Sequence, residues 1–336
     1  MIISSSVSAH EHKHFPSDMR ITFLHGWLRG NLGDACISEV VVRSIRSRFP
    51  SAYIRFYTEP SGSWVIPSSI RDAINELVPY DYTTSPDATV SDADVVIQAP
   101  GGGLQDPDDA RAPYMIRDAR FCAERGIPYA MAGHSFHPSY DLSAFARCFI
   151  LAREPESHAL LTHAGIVSVP SADPAFLADV SAYRTKHRRG TAVFLRRWHL
   201  KNIELRGHAL ALDGRDVSFI PPLRLASSDP LRDDTLLAPL QTLWSVPYER
   251  CMDIAQLYST IAAAERIMSD RYHPIIFASL LGVPSTFITR QGSLRDAGLQ
   301  KLLAEQRPEE CRRLAQQGLE QLCDFIATAS VRQSAI

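Results

Sequence analysis

The chain has no Cys-x-x-Cys pair, and its six cysteines, Cys36, Cys122, Cys148, Cys251, Cys311 and Cys323, are scattered singly among mostly apolar neighbours. That spacing gives neither a zinc ribbon nor a disulfide framework and is the pattern of reduced, buried thiols in a cytosolic protein. An excess of charge is also lacking. With 35 basic and 37 acidic residues the formal net charge is −2, which offers no electrostatic footprint for nucleic acid. No uninterrupted apolar run approaches the ~18 residues that a membrane-spanning helix needs; peripheral contact with a membrane surface stays open. Residues 1–17 are rich in Ser, His and Glu and lack the apolar core of a signal peptide, so they read as a disordered leader. His10, His12 and His14 alternate within it, but with no Cys or carboxylate framework to order them they read as an incidental tail rather than a metal site. There is also no Gly-x-Gly-x-x-Gly fingerprint and no Walker loop ending in Lys-Ser/Thr. Neither a metal nor a cofactor is expected.

What is present is alternation. At 336 residues and 45% apolar content, the chain exceeds the size at which one core stops growing, so two domains are the natural expectation. Arg20–His25 reads as a strand that runs into a loop carrying Gly26, Gly30 and Gly33, and Ile37, Val40, Val41, Ile45 and Phe49 then mark one helical face. Asn31 and Asp34 are suited to cap that helix. Tyr53–Tyr57 and Asp94–Gln98 are further strands, the second ending in Gly101, Gly102 and Gly103, where bare backbone allows a ligand to lie close. Helix Tyr114–Arg125, strands Ile127–Ala132 and Phe149–Ala152, helix Pro155–His163 and strand Ile166–Val169 continue the pattern of a parallel sheet covered by helices on both faces. The polar, basic stretch Ala178–Gly190 reads as a linker with solvated charges. A second α/β half follows: strand Thr191–Leu195 with Arg196 and Arg197 at its end, strand Asp216–Ile220, helix Pro247–Ala264, strand Arg266–Met268 and strand Ser285–Thr289. Glu309–Thr328 is a terminal amphipathic helix, with Leu314, Leu319, Leu322, Phe325 and Ile326 at helical spacing.

Between the last two of those strands lies the stretch with the most chemistry. Pro274 suits a first helical position, and Gly282 followed by Pro284 is a helix stop, so Ile275–Leu281 reads as a short buried helix whose N-terminus points at Arg271 and His273. Unpaired amide N–H groups and a guanidinium facing one spot bind anions. The plainer alternative pairs Arg271 with Asp270 and leaves His273 as a cap. His134, in Ala132-Gly-His-Ser-Phe-His137, stands at the end of a strand of the first half, where it either faces a substrate or fills a structural place.

Taken in order, Arg29-Gly-Asn-Leu-Gly-Asp34, Pro100-Gly-Gly-Gly103, Ala152-Arg-Glu-Pro-Glu-Ser157, Ala172-Asp-Pro-Ala-Phe176, Phe194-Leu-Arg196 and Ser269-Asp-Arg-Tyr-His273 with Gly282-Val-Pro284 resemble the motifs of the polysaccharide pyruvyl transferase family, from about Ile21 to Ile288. The resemblance implies an α/β fold of two facing Rossmann-like domains like that of B-type glycosyltransferases, with a cleft between them. It also implies transfer of pyruvate from phosphoenolpyruvate onto two hydroxyls of a sugar as a ketal, with release of phosphate. Motif by motif it assigns Arg196, Arg271 and His273, with Tyr272 between them, to the donor; Tyr272 stands where leucine is commoner. Asn31, Asp34, Gly101, Gly102, Gly103 and His134 would line the acceptor side, and His273, with Arg271, would carry the proton transfers.

The expected organisation is a leader at 1–17, an acceptor-side domain at 18–180, a linker at 181–190, a donor-side domain at 191–305 and a terminal helix at 306–330. The expected partners are phosphoenolpyruvate and a saccharide acceptor, lipid-linked or free, and the expected location is the cytoplasm or the inner face of the membrane. Three other readings compete, one of them a non-catalytic carbohydrate-binding or scaffold protein on this fold. A nucleotide-sugar glycosyltransferase on the same fold would hold a diphosphate at Arg271 and His273. An α/β-hydrolase would use Ser135, Asp173 and His273, but the Gly-x-Ser-x-Gly elbow fails because position 137 is His.

Overall fold

The computed structural model describes residues 19–28, 31–59, 66–107, 109–195, 217–219, 253–290 and 292–333. Strands β1 (Arg20–Gly26), β2 (Tyr53–Thr58), β3 (Glu76–Pro79), β4 (Val95–Gln98), β5 (Tyr129–His134), β6 (Phe149–Ala152) and β7 (Val169–Pro170) form one sheet, paired in the order β3-β2-β1-β4-β5-β6-β7. Every pairing in it is parallel. The central strands are buried on both faces, which is why they read as apolar runs rather than alternating ones. Ile21, Phe23, Ile54, Phe56, Val95 and Ile97 pack on one face of the sheet. Leu24, Val96, Tyr129, Met131 and Ile150 pack on the other. Strand order reverses between β1 and β4, so the loops that leave their C-terminal ends diverge and open a crevice there.

Helices α1 (Leu32–Arg48), α2 (Ser68–Ala73), α3 (Pro86–Val90), α4 (Ala112–Arg125) and α5 (Pro155–His163) flank this sheet. A second parallel sheet holds β8 (Thr191–Phe194), β9 (Val217–Phe219), β10 (Arg266–Ser269) and β11 (Ser285–Phe287), in the order β11-β10-β8-β9. Its order reverses between β8 and β10, the strands that Arg196 and Arg271 follow. Helices α6 (Ile254–Ala263), α7 (Tyr272–Leu281), α8 (Leu294–Glu305) and α9 (Pro308–Gln333) complete the described residues. Among those residues no helix is long and apolar enough to cross a membrane.

The two halves share a core. Leu32, Ala35, Cys36 and Ile37 on α1 pack with Phe194, Leu257, Ile275 and Phe277 of the second half, while Val41, Val42 and Ile45 of the same helix pack under the first sheet. Cys36 Sγ lies 2.6 Å from the Tyr258 hydroxyl across this boundary. The last helix, α9, returns to the first half: Leu319, Leu322, Cys323 and Ile326 join its core, and Phe325 stacks on Phe149 at 5.0 Å. Five cysteines, Cys36, Cys122, Cys148, Cys311 and Cys323, are free and buried, as their apolar neighbours implied; Cys251 lies outside the described residues.

Five local expectations are corrected. Helix α7 starts at Tyr272, with Arg271 as its N-cap residue, so Pro274 occupies the third helical position and not the first. That position still falls within the first turn, where a missing N–H removes no intrahelical bond. The strand expected at Ile166–Val169 is only Val169–Pro170. The basic 178–190 stretch is not simply solvated. Arg188 donates to the carbonyls of Gly282 at 2.7 Å and Leu281 at 2.9 Å, and Arg184 to that of Leu280 at 3.4 Å, so both complement the C-terminal end of α7. The helix expected at Pro247–Ala264 is only Ile254–Ala263, with Asp253 in extended conformation as its N-cap. Finally, α2, β3, α3 and α8 were not anticipated. The leader, Arg196 and Arg197 lie outside the described residues.

Candidate active site between the two domains

A cleft of about 290 Å3 opens where the two switch points face each other. Its first-domain wall includes Trp27, Asn31, Gly33, Asp34, Gly102, Gln105 and Arg153, and its second-domain wall Arg271, Tyr272, His273, Pro274 and Arg295. On the first wall, the Asn31 side chain accepts from Gly33 N–H at 3.0 Å and caps α1, and its amide Nδ2 donates to Asp34 Oδ2 at 3.1 Å. Asp34 is only 4% exposed. Burial pushes its carboxyl up to about 6, although the charges of Arg111, Arg153 and Arg271 pull the other way. Gly101 backs this carboxyl with φ +143°; a Cβ there would sit 3.2 Å from Asp34 Cγ in a conformation L side chains rarely adopt.

On the second wall, Arg271 occupies the N-cap place of α7 and its backbone N–H donates to Ser269 Oγ at 2.8 Å. The His273 side chain packs directly against Gly33 of the first domain. A Cβ on Gly33 would fall 2.0 Å from His273 Nδ1 and 2.5 Å from its Cγ, so only glycine admits the ring. His273 Nε2 stands 3.9 Å from Asp173 Oδ2, a carboxylate that caps the 3-10 turn Pro174–Leu177 through Ala175 N–H.

Deeper in the cleft, Arg153 is held on every side: it donates to Ser135 Oγ at 2.7 Å, Asp173 Oδ2 at 3.0 Å and Gln105 Oε1 at 2.8 Å. The Tyr272 ring is stacked between Arg153, 4.6 Å away, and Arg295, 5.5 Å away. Glu154, fully enclosed, accepts from Ser157 Oγ at 2.5 Å, and burial pushes it up to about 7. At the mouth, the Arg290 guanidinium of the second domain meets Asp106 of the first at 2.5 Å.

The cleft therefore brings together Asn31, Asp34, Gly102, Arg271, Tyr272 and His273. Gly101 sits one layer behind, against Asp34, and Gly103 carries its backbone toward Met115. His134 does not line the cleft: it is 0% exposed at the end of β5, bridged through its backbone to Gly101, and burial, with Arg153 nearby, pushes it down to about 3, so its ring is neutral. Arg196 lies outside the described residues. Ser135 is taken by Arg153, which leaves the hydrolase arrangement without a nucleophile poised on a base. Sequence reasoning missed Arg153, Gln105 and Arg295 as wall residues. Arg153 follows the end of β6 within the motif Ala152–Ser157, but that position alone does not mark it as a wall residue, and no sequence signal distinguishes Arg295.

Two facing parallel sheets with their switch points on one cleft define the architecture of B-type glycosyltransferases. Solved structures agree. UDP-GlcNAc 2-epimerase from Neisseria meningitidis, bound to UDP-GlcNAc, superposes with a TM-score of 0.56 at 12% identity over 91% of this chain and 100% of its own. The enzyme of that name from Methanocaldococcus jannaschii, in complex with UDP-GlcNAc and UDP, gives 0.56 at 12% over 90% and 92%, and Anabaena HepE, in complex with UDP-glucose, gives 0.53 at 13% over 95% and 100%. At such identities the likeness is one of fold. No curated protein matches the sequence. The family follows from the sequence itself: the polysaccharide pyruvyl transferase model matches residues 31–292, and the chain belongs to that family.

Proposed function

We propose that this protein transfers pyruvate from phosphoenolpyruvate onto two hydroxyls of a sugar residue, in a polysaccharide or its lipid-linked precursor, forming a ketal and releasing phosphate. The observation that carries this reading is the placement of Arg271 and His273 at the N-terminus of α7, facing Asp34 across the cleft. The donor carries a phosphate and a carboxylate and needs cationic or N–H-rich poles for both. The α7 N-terminus with Arg271 is suited to one, and Arg196, which follows β8 in the sequence, is assigned to the other by its family motif. Each charge-assisted hydrogen bond to such a group contributes about 1.5–3 kcal/mol. His273 supplies the proton that the donor's methylene carbon must gain. The reaction needs no cofactor in this reading and takes place in the cytoplasm or at the inner face of the membrane.

The test is the fate of hydrogen and carbon. In heavy water, incubation with phosphoenolpyruvate and a panel of methyl glycosides should give a product whose new methyl group carries one deuterium, with one phosphate released per ketal. Vinylic protons in the product would reveal an enolpyruvyl ether instead. Transfer of sugar from a UDP-sugar, without pyruvate-derived carbon, would place the protein among nucleotide-sugar glycosyltransferases.

A further inference from the structure

Ketal formation has more proton transfers than one histidine can perform, because the donor carbon gains a proton, two hydroxyls each lose one, and the leaving phosphate takes one. We propose that Asp34 is the second proton-transfer residue of the cleft, working opposite His273 as base toward the first sugar hydroxyl and then as acid toward the departing phosphate. The assignment rests on the pyruvyl-transfer reading. It is carried by position: Asp34 lines the cleft in the first turn of α1, with one oxygen fixed by Asn31 Nδ2 at 3.1 Å and Gly101 closing its back. The ring of His273 lies on Gly33, the preceding residue, so the two acid–base groups reach the same space from opposite domains. The charged groups that act on the carboxyl come from four other places: Arg111 at the start of α4, Arg153 after β6, Asp173 before its 3-10 turn and Arg271 before α7. Burial exceeds their net attraction and leaves the carboxyl titrating at about 6, close to the working range of a neutral-pH acid–base catalyst.

The steps balance. The His273 imidazolium gives its proton to the methylene carbon of phosphoenolpyruvate while a sugar oxygen bonds to C2, and the proton of that hydroxyl passes to the Asp34 carboxylate. The second sugar oxygen then bonds to C2 as the bond from C2 to the phosphate oxygen breaks, its electron pair leaving with the phosphate. Neutral His273 takes the second hydroxyl proton, and Asp34 returns its own to the phosphate. Both residues end in the protonation states in which they began, and no further reactant is consumed.

The test uses the whole chain and Asp34→Asn, which keeps the shape of the side chain and its contact with Asn31. Thermal melting with and without phosphoenolpyruvate comes first, then phosphate release with methyl glycosides as a function of pH. The expected result is a similar donor-induced rise in melting temperature in both proteins and turnover lower by about two to four orders of magnitude in the variant. The parent should lose activity as pH falls through about 6, and the residual rate of the variant should lack that limb. A variant within about threefold of the parent, with the same acid limb, overturns the assignment while leaving the donor reading in place. Loss of the melting response in the variant alone makes Asp34 a donor contact and also overturns it. No melting response in the parent removes the donor reading, and this assignment with it.

Discussion

Asp34→Asn also tests the electrostatics of the cleft through folding stability alone, with no substrate present. The Asp34 carboxyl titrates at about 6 in the folded protein against an ordinary value of 3.8, so the fold prefers its neutral form. For a carboxyl raised in this way the cost of ionisation is absent below pH ~4, grows as the pH rises to about 6 and is complete above that. A rise of roughly two pH units at about 1.4 kcal/mol each sets that cost at about 3 kcal/mol. The figure is a ceiling, because Asp34 sits in the first turn of α1, where the helix N-terminus favours a carboxylate by about 0.3–1 kcal/mol. Asparagine keeps the neutral form at every pH. Urea unfolding followed by circular dichroism should therefore find the variant and the parent equally stable near pH 4, and the variant more stable by up to about 3 kcal/mol at pH 8. A variant less stable than the parent at pH 8 would refute the reasoning. It would show that Arg111, Arg153 and Arg271 hold the carboxylate ionised more strongly than burial opposes it, and a carboxylate held in that way is a poor proton acceptor at neutral pH. Gain of stability with loss of turnover, in contrast, is the exchange expected where a site keeps an unfavourable charge for its chemistry.

Gly33→Ala would put a Cβ 2.0 Å from His273 Nδ1, so the ring must leave its place; phosphate release should fall at least about tenfold and stability by about 1–3 kcal/mol, and an unchanged rate would mean the ring does not work from this position. Phosphoenolpyruvate at about a hundred times its dissociation constant should stabilise the parent by roughly 2.7 kcal/mol, and Arg271→Ala should show much less of that gain in a melting experiment; equal shifts remove Arg271 from the donor site. Arg188→Ala removes the donors to the Leu281 and Gly282 carbonyls and should cost about 1 kcal/mol in urea unfolding with turnover unchanged, whereas a loss of turnover would tie this cap to the placement of His273.

Much of the fold was legible because its signals are local. Helix α5 begins at Pro155 and ends at His163, as read from the sequence, and the central strands announce themselves as apolar runs because they are buried on both faces. Elements without such signals escaped. Strand β3 is a half-buried edge strand of four residues, Glu76–Pro79, too short and too mixed to stand out. Helix α8 has no clear apolar face, although Ser293, whose hydroxyl accepts from Asp296 N–H, was a readable start. Arg271 and His273 were readable as cleft residues for a related reason: a loop between a strand and a punctuated helix is a local pattern. Arg153 and Arg295 are not local in this sense. What makes them cleft residues is contact with Gln105, Asp173 and Tyr272, far away along the chain, and one arginine in a sequence looks like another until the fold brings its partners to it.

The same distinction explains why the cleft is a matter of the core as much as of its loops. Helix α1 packs under the first sheet with Val41, Val42 and Ile45 and into the second domain with Ala35, Cys36 and Ile37, and its first turn carries Gly33 and Asp34. Helix α7 enters the shared core with Ile275, Ile276 and Phe277, and its first turn carries His273. The two helices are thus fixed by one apolar interface, sealed by Cys36 against Tyr258, and their N-termini must meet with whatever spacing that interface sets. Cys36 does not line the cleft, yet a larger side chain there, by parting α1 from the second domain, would part the Asp34 carboxyl from the His273 imidazole. Since a displacement of about 1 Å in a reacting group can cost about a hundredfold in rate, the proton transfers proposed for Asp34 and His273 would depend on the packing between the two domains.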